Sequence, residues 1–265
     1  MSALPVVFVS HGSPALAAHA GEVGVAWRNL AERWPQPRAI LVISAHWLSA
    51  RLSVTAAEQP GQLFDFYGFP RELYEKRYLP HGAPAIAREI VAHLTEFGLD
   101  ARLEPVRGLD HGAWVPLLSM YPQGDVPVLQ LSLLKSDDPL DHHRVGEALR
   151  QLSEQGILLL GSGGLTHNLG YFGFIDEQGP VLPFVASFRQ WLFERLRARQ
   201  WQDLLAYQRL APEAKANHPS SEHLHPLFVC MGAAGPDSSA EIIDLGVQYG
   251  MLAMDAIVFH PGPVL

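Results

Sequence analysis

The sequence predicts a single α/β domain over residues 1–265, with a mostly parallel central sheet, flanking helices and a site at the carboxyl ends of the strands. Short apolar runs at residues 6–9, 40–43 and 157–160 are bounded by Gly, Ser and Pro, as is typical of buried parallel strands. Helical patterns alternate with these runs. Each run is followed by a polar segment that contains a histidine, and ligands bind beyond the carboxyl ends of strands in such sheets.

The composition limits the class of protein. A chain of 265 residues, 48% of them hydrophobic, can bury a sizeable core in one domain. Its formal net charge of -8 argues against nucleic acid or an anionic membrane as partner. The single cysteine, Cys230, excludes an intrachain disulfide, whereas 13 histidines favour imidazole coordination of a metal. Because neither a secretory signal nor an apolar membrane span is visible, we expect a cytoplasmic protein.

In the first half of the chain, turn and cap signals separate strands from helices. The first strand ends at His11, and an apolar stripe at helical spacing predicts a helix over residues 23–34, which two prolines end. Alternating apolar and polar residues over 51–56 predict a half-exposed strand. A helix is expected over 83–97, opened by a proline and closed by a glycine, and a short strand over 101–105.

The second half continues the alternation of strands and helices, and we find no internal repeat or linker in it. Aromatic and aliphatic residues at helical spacing over 184–199 are typical of a core-facing helix. The histidine-rich segment 217–226 is predicted to be a loop. The other predicted elements are a short helix over 110–121, a strand over 127–133, a helix over 141–152, a strand over 157–160, a possible helix over 227–234 and a closing strand over 250–259.

An aromatic loop over residues 64–70 has four aromatic side chains within six residues, which is unusual for a solvated loop. Two interpretations are open. The loop either plugs a small satellite core or forms a lid over a substrate. Trp47, Phe66, Tyr67 and Trp114 could contact an aromatic ligand, but such residues are equally typical of a core.

Three histidines follow three predicted strands: His11, His46 and His167. A lone histidine at a strand end is more often a structural residue than a ligand. Three at one edge of one sheet are not independent, however, and imidazole is a common ligand of Zn, Fe, Cu and Ni. We therefore expect a metal site at this edge.

The loop at 217–226 offers further ligands, namely His218, Glu222, His223 and His225. Successive side chains of an extended chain point to opposite sides. At most one or two of these four side chains can therefore face a common metal. The histidines without a comparable context are expected to be structural or solvated: His19, His81, His93, His142, His143 and His260.

The sequence resembles the class III extradiol ring-cleaving dioxygenases, and within them the DOPA 4,5-dioxygenase-like branch. The resemblance spans almost the whole chain and rests on the order of its motifs. These are Ser10-His11-Gly12-Ser13-Pro14, Ser44-Ala45-His46-Trp47, the aromatic loop, Leu109-Asp110-His111-Gly112, Thr166-His167-Asn168-Leu169 and Glu222-His223-x-x-Pro226.

The resemblance implies an iron(II) enzyme that opens a catechol next to its diol. Its metal ligands would be His11, His46 and a third residue from the late loop. That residue is a glutamate in better-known members and a histidine in this branch, which makes it His223, with Glu222 as the neighbouring alternative. His167 matches the acid–base histidine of the family, and His111 matches a second active-site histidine.

The expected partners are a small aromatic diol, such as DOPA or a related diphenol, and dioxygen, and the product is a semialdehyde. Iron(II) is expected for activity. If His167 moves onto the metal, it completes a four-imidazole set with His11, His46 and His223 that suits Zn(II) and leaves no open position. Zinc could therefore occupy the site of the purified protein.

Two rival functions stay open at this point. Tetrapyrrole metal chelatases also carry His-Gly-Ser after their first strand. A non-enzymatic metal-binding or interaction protein of the Memo type would be built on the same fold. The sequence does not determine the oligomeric state.

Overall fold

Two sheets organise the part of the chain that the computed structural model describes, residues 3–262. The strands are β1 Val6–Ser10, β2 Ala39–Ser49, β3 Leu52–Thr55, β4 Ala101–Glu104, β5 Val128–Leu134, β6 Ile157–Gly163, β7 Ser239–Ile243, β8 Val247–Gln248, β9 Leu252–Ala253 and β10 Ala256–His260. The large sheet has the order β4-β3-β5-β2-β6-β1-β10-β7, and β8 and β9 form a small hairpin.

The helices cover both faces of the large sheet. They are α1 Gly21–Ala31, α2 Arg71–Glu75, α3 Pro84–Glu96, α4 His111–Met120, α5 Pro139–Leu149, α6 Pro183–Arg197, α7 Trp201–Leu205, α8 Tyr207–Leu210, α9 Ala214–Asn217 and α10 His225–Ala234. Short 3-10 turns lie at Pro14–Ala17, Arg150–Leu152 and Leu169–Tyr171.

The four central strands, β5, β2, β6 and β1, are parallel to one another. β10 and β7 continue the sheet in antiparallel fashion on one side, and β3 pairs antiparallel with β5 on the other. The predicted α/β class with a mostly parallel, helix-flanked sheet is confirmed.

Side chains of the central strands alternate between two buried layers, because successive residues of a strand face opposite sides. In β1, Val6 and Phe8 pack into the layer under α3, α5 and α10, whereas Val7 and Val9 pack into the layer under α1 and α4. The strands are buried on both faces, which is why they are apolar at every position rather than at every second one.

Parallel pairing brings the carboxyl ends of three strands to one edge. Ser10 of β1 lies beside Gly163 of β6, and Ser44 of β2 lies beside Ser162. The prediction that β2 ends before His46 is wrong. β2 continues to Ser49, and its pairing with β5 shifts register between Ile43 and Leu48. This irregularity re-aims the side chains of the segment, as bulges beside active sites do.

Three further details differ from the prediction. β3 is fully buried rather than half-exposed, because β4 forms the sheet edge beyond it; the hydroxyl of Thr55 accepts a hydrogen bond from the backbone of Gln130. The closing strand is divided into β9 and β10, and between them the buried Asp255 is paired with Arg189. The short helices α7 to α9 were not predicted, since each spans five residues or fewer.

Among the described residues, no helix combines the length and the apolar character that crossing a bilayer requires.

Candidate metal centre and active site

Three imidazoles converge at the carboxyl edge of the sheet. His11 directly follows β1, His46 lies in the irregular part of β2, and His223 ends the loop before α10. The Nε2 atoms of His11 and His46 are 3.0 Å apart. Candidate ligand atoms of the three residues lie within 4.8 Å of one another. We call these three residues the floor of the site.

Ser162, on β6, fixes the orientation of His11. The serine hydroxyl donates its one proton to the carbonyl oxygen of Gly112. Its oxygen, 3.0 Å from Nδ1 of His11, must therefore accept a proton from that nitrogen. This leaves the lone pair on Nε2 of His11, the atom that faces His46, free to bind a metal.

Glu222 plays the same part for His223. Its Oε1 lies 2.9 Å from Nδ1 of His223 and, as a carboxylate, can only accept a proton from it. Nε2 of His223 is buried and has no hydrogen-bond partner among the described residues. The loop reaches this position because Gly163 has no side chain: a Cβ there would collide with the carbonyl oxygen of His223. Glu222 therefore orients His223, and His223 is the residue that completes the floor.

His111 and His46 share a carboxylate that sequence reasoning missed. Asp65, inside the aromatic loop, lies 3.0 Å from Nδ1 of His111 and 3.9 Å from Nδ1 of His46. Its Oδ1 also accepts a hydrogen bond from the backbone N–H of His111, at the first turn of α4. The signal in the sequence was a single acid among four aromatic residues.

His167 lies beside the floor, stacked on His223 with ring centroids 3.4 Å apart and planes 5° apart. Its backbone N–H donates to the carbonyl oxygen of Asn217. Its ligand atom lies within 4.8 Å of ligand atoms of both Glu222 and His223. The arrangement thus presents three floor imidazoles and a fourth next to them.

Burial keeps the floor imidazoles uncharged. Burial first, and then the neighbouring imidazoles, hold the pKa values of His11 and His223 well below their usual range. Burial and the proximity of His111 lower the pKa of His46 to about 3, although Asp65 opposes this shift. Burial also lowers the pKa of His167. Metals bind the neutral form of imidazole, so these residues can bind a cation without first releasing a proton.

The floor fits a divalent transition metal. Two nitrogens bound to one ion at about 2.1 Å can be no more than about 4.2 Å apart, and the 3.0 Å between the two Nε2 atoms lies within that limit. The unpartnered Nε2 of His223 is a buried lone pair that a cation would satisfy. Three imidazoles are a donor set that suits Fe(II) and Zn(II).

The floor opens into a cavity of about 540 Å³, which is a suitable size for a small aromatic molecule. His111 and His167 line it together with the floor. The other lining residues are Gly12, Ser13, Pro14, Phe66, Tyr67, Phe69, Leu169, Phe172 and Leu252.

One part of the aromatic loop packs on the core, and another part lines the cavity. Phe64 packs on Trp114, which is buried and donates a hydrogen bond to the carbonyl oxygen of Leu63. Phe66, Tyr67 and Phe69 line the cavity instead. Trp47 lies under the guanidinium of Arg107 and does not line the cavity.

The remaining histidines lie outside the cavity lining. His218 is buried, and its Nε2 lies 3.0 Å from the carbonyl oxygen of Leu165. His225 is also buried and stacks on His142 of α5. His19 and His81 are exposed. Of the 217–226 loop, therefore, only His223 faces the cavity, in line with the alternation of side chains along the chain.

Sequence comparison relates the chain to enzymes of known class. Residues 6–259 match the family described as the catalytic LigB subunit of aromatic ring-opening dioxygenase. A Beta vulgaris protein named 4,5-DOPA dioxygenase extradiol is 38% identical over 259 residues, which cover 95% of each chain. An Escherichia coli K12 protein with the same name is 33% identical over 256 residues, covering 95% of this chain and 93% of its own.

A solved structure has the same fold. The crystal structure of an uncharacterized Escherichia coli K12 protein superposes with a TM-score of 0.78 at 28% identity, covering 97% of this chain and 100% of that chain.

Proposed function

The chain belongs to the LigB family and is an extradiol aromatic ring-opening dioxygenase, and from this premise we propose that it uses iron(II) and dioxygen to cleave a catechol, such as DOPA or a related small diphenol, to a semialdehyde. The observation that carries the proposal is the convergence of three oriented, neutral imidazoles in one cavity with His167 beside them. We infer that the protein works in the cytoplasm as one catalytic domain over residues 1–265, as the sequence predicts.

In this proposal His11, His46 and His223 hold the metal through their Nε2 atoms. An iron(II) ion bound there would bring the catechol and dioxygen together and relay electrons from the catechol to dioxygen. Zn(II) fits the same three nitrogens and would give an inactive protein. We infer that His167 acts as a base rather than as a resting fourth ligand, because its ring stacks face to face on that of His223, beside the three floor imidazoles.

His167 moves the protons of the reaction. Because burial lowers its pKa, the ring is neutral near pH 7 and can accept a proton from a catechol hydroxyl. The same ring, once protonated, returns that proton to an oxygen when the O–O bond breaks. Both atoms of dioxygen enter the product, and the carbon–carbon bond next to the diol is the one that opens.

His111 orients the bound molecules. The carboxylate of Asp65 lies 3.0 Å from its Nδ1 and can only accept a proton there, so the ring is held in place and its Nε2 can accept a hydrogen bond from a substrate hydroxyl. The rings of Phe66 and His111 pack edge to face, with centroids 5.7 Å apart, so an apolar side chain covers that side of the histidine.

Dioxygen uptake after anaerobic loading with iron(II) tests the proposal, using a panel of catechols and the absorbance of the yellow semialdehyde. We expect uptake with colour for the wild type. His167→Ala should retain iron by metal analysis but lose turnover by about 10²- to 10⁴-fold, the usual contribution of a general acid–base group. His81→Ala removes an exposed imidazole outside the cavity and should leave both readouts unchanged.

Other outcomes would change the assignment. Full iron content without uptake for any catechol would favour the non-enzymatic metal-binding protein. Metal insertion into a porphyrin without oxygen uptake would favour the chelatase. Wild-type turnover in His167→Ala would remove the acid–base role from this residue.

A further inference from the structure

The mouth of the catalytic cavity lacks charge. Among the described residues that line the cavity, none is Lys, Arg, Asp or Glu; apart from histidine, the polar side chains are Ser13 and Tyr67. Val6 of β1 pairs with Phe259 of β10, so both described ends of the chain lie at the end of these strands that is opposite to the cavity.

The charged groups nearest the site have other partners. Asp65 contacts His111 and His46, and Glu222 contacts His223 and the hydroxyl of Ser220. The guanidinium of Arg107 lies 4.8 Å from the centroid of the Trp47 ring and donates to the carbonyl oxygen of His46. None of these groups offers a free ion pair to a substituent at the cavity mouth.

An apolar wall runs instead from the active-site histidines to the mouth. The ring of His111 meets Phe66, and the ring of Phe66 meets Phe69 with centroids 5.3 Å apart. On the facing loop, Leu169 and Phe172 line the cavity, and Phe172 is braced by Tyr249 at 5.1 Å between centroids. Tyr67, at the tip of the aromatic loop, is 92% exposed and Phe172 is 49% exposed, so both have apolar area that a ligand could cover.

We propose that this site takes catechols whose ring substituent is uncharged and apolar, and that Phe172 and Tyr67 select for that substituent. The inference rests on the proposed function, because it places the diol at the floor and the substituent at the mouth. An ammonium or carboxylate on the substituent would lose hydration there without gaining a partner. An alkyl or aryl group would cover the exposed rings. The relatives named for DOPA would then share the reaction with this chain but not the preferred side chain.

Equilibrium binding to the iron(II)-loaded protein without dioxygen tests this directly, by calorimetry. The ligands are catechol, 4-methylcatechol, 4-ethylcatechol and 4-propylcatechol, with DOPA, dopamine and 3,4-dihydroxyphenylpropionate as charged counterparts of similar length. We expect Kd to fall about fourfold for each added methylene. We expect DOPA to bind at least tenfold more weakly than 4-propylcatechol. DOPA binding as tightly as 4-propylcatechol would overturn the proposal.

Variants of the loop that contains Phe172 test which residue causes the selectivity for the ring substituent. Phe172→Ala should reduce the preference for 4-propylcatechol over catechol several-fold, and Phe172→Lys should tighten binding of the anionic ligand relative to the alkyl one. Phe174→Ala, two residues away and outside the cavity lining, is the matched control and should change neither. Equal effects of the Phe172 and Phe174 variants would remove Phe172 from the selecting surface.

The two proposals fail in different ways. The expected order of Kd values without oxygen uptake in air would contradict the ring-cleavage function alone. Uptake with a preference for DOPA would contradict the substituent preference alone. Absence of binding for every catechol would contradict both.

Discussion

The floor and the mouth of the cavity differ in how their side chains are held. On the floor, Ser162 orients His11, and Glu222 orients His223. At the mouth, Phe66 packs on the rings of Phe69 and His111, and Phe172 packs on the ring of Tyr249, whereas the side chain of Tyr67 is exposed. Directional contacts suit the fixed geometry of a metal and of proton transfer, whereas non-directional contacts suit a variable substituent.

This difference predicts that substitutions in the floor act on the metal, whereas substitutions at the mouth act on the choice of ligand. The loop at the mouth can therefore diverge without loss of the reaction. Each prediction below changes one residue of the floor, a residue that orients it, or a buried imidazole near it, and measures whether metal binding or the stability of the protein responds.

Loss of a floor imidazole should have the largest effect. His46→Ala removes one of the three proposed nitrogen ligands and leaves a weakened site, so we expect metal affinity to fall by more than about 10³-fold and turnover to vanish with it. The measurement is a competition titration with a chelator, read by metal analysis. His81→Ala is the control. Retention of stoichiometric tight binding in His46→Ala would remove this residue from the metal site.

Glu222 and His223 should separate into an orienting group and a ligand. His223→Ala should lose metal as severely as His46→Ala. Glu222→Gln keeps an oxygen that can accept the Nδ1 proton but removes its charge, so about a tenfold loss of affinity is expected. The same chelator competition measures both. The reverse order, with severe loss only in Glu222→Gln, would make Glu222 the third ligand.

The buried imidazoles should make the metal-free protein sensitive to acid. Burial lowers the pKa of His218 to about 4, against about 6.5 in an unfolded chain. The unfolded state therefore binds the proton first as the pH falls. Stability from this residue is complete above about pH 6.5 and declines toward pH 4. At pH 5 the loss is about 2 kcal/mol.

Urea unfolding at pH 7 and pH 5 measures this loss. His218→Gln should reduce the fall in the free energy of unfolding between the two pH values by about 2 kcal/mol. His81→Gln, at an exposed position, should leave the fall unchanged. An identical pH dependence in the wild type and His218→Gln would show that His218 is not a buried neutral group.

The sequence predicted the parts of the fold that depend on local pattern. The predicted helices over 23–34, 83–97 and 184–199 lie within three residues of the observed α1, α3 and α6, because their apolar stripes and terminal Pro or Gly are strong local signals. The short helices α7 to α9 have no such period. The burial of β3 depends on β4, which lies some 50 residues further along the chain.

For the site, the sequence showed which histidines follow the strands, and the family resemblance assigned a role to each of them. It could not reveal Asp65 or Ser162 as their partners, because each contact joins segments that are distant in the chain: Ser162 is 151 residues from His11, and Asp65 is 46 from His111. Nor could it place His46 within a strand, because the register shift that carries it arises from pairing with β5.

The amino-acid sequence by itself determined the fold class, the alternating elements and the imidazole chemistry, since burial period and residue type are local properties. Only the tertiary structure decided which nitrogen of His11 and His223 is free, that Glu222 orients rather than faces the floor, and that the mouth is apolar. Those are properties of hydrogen-bond partners and cavity walls, and both are set by the packing of segments that are far apart in the chain.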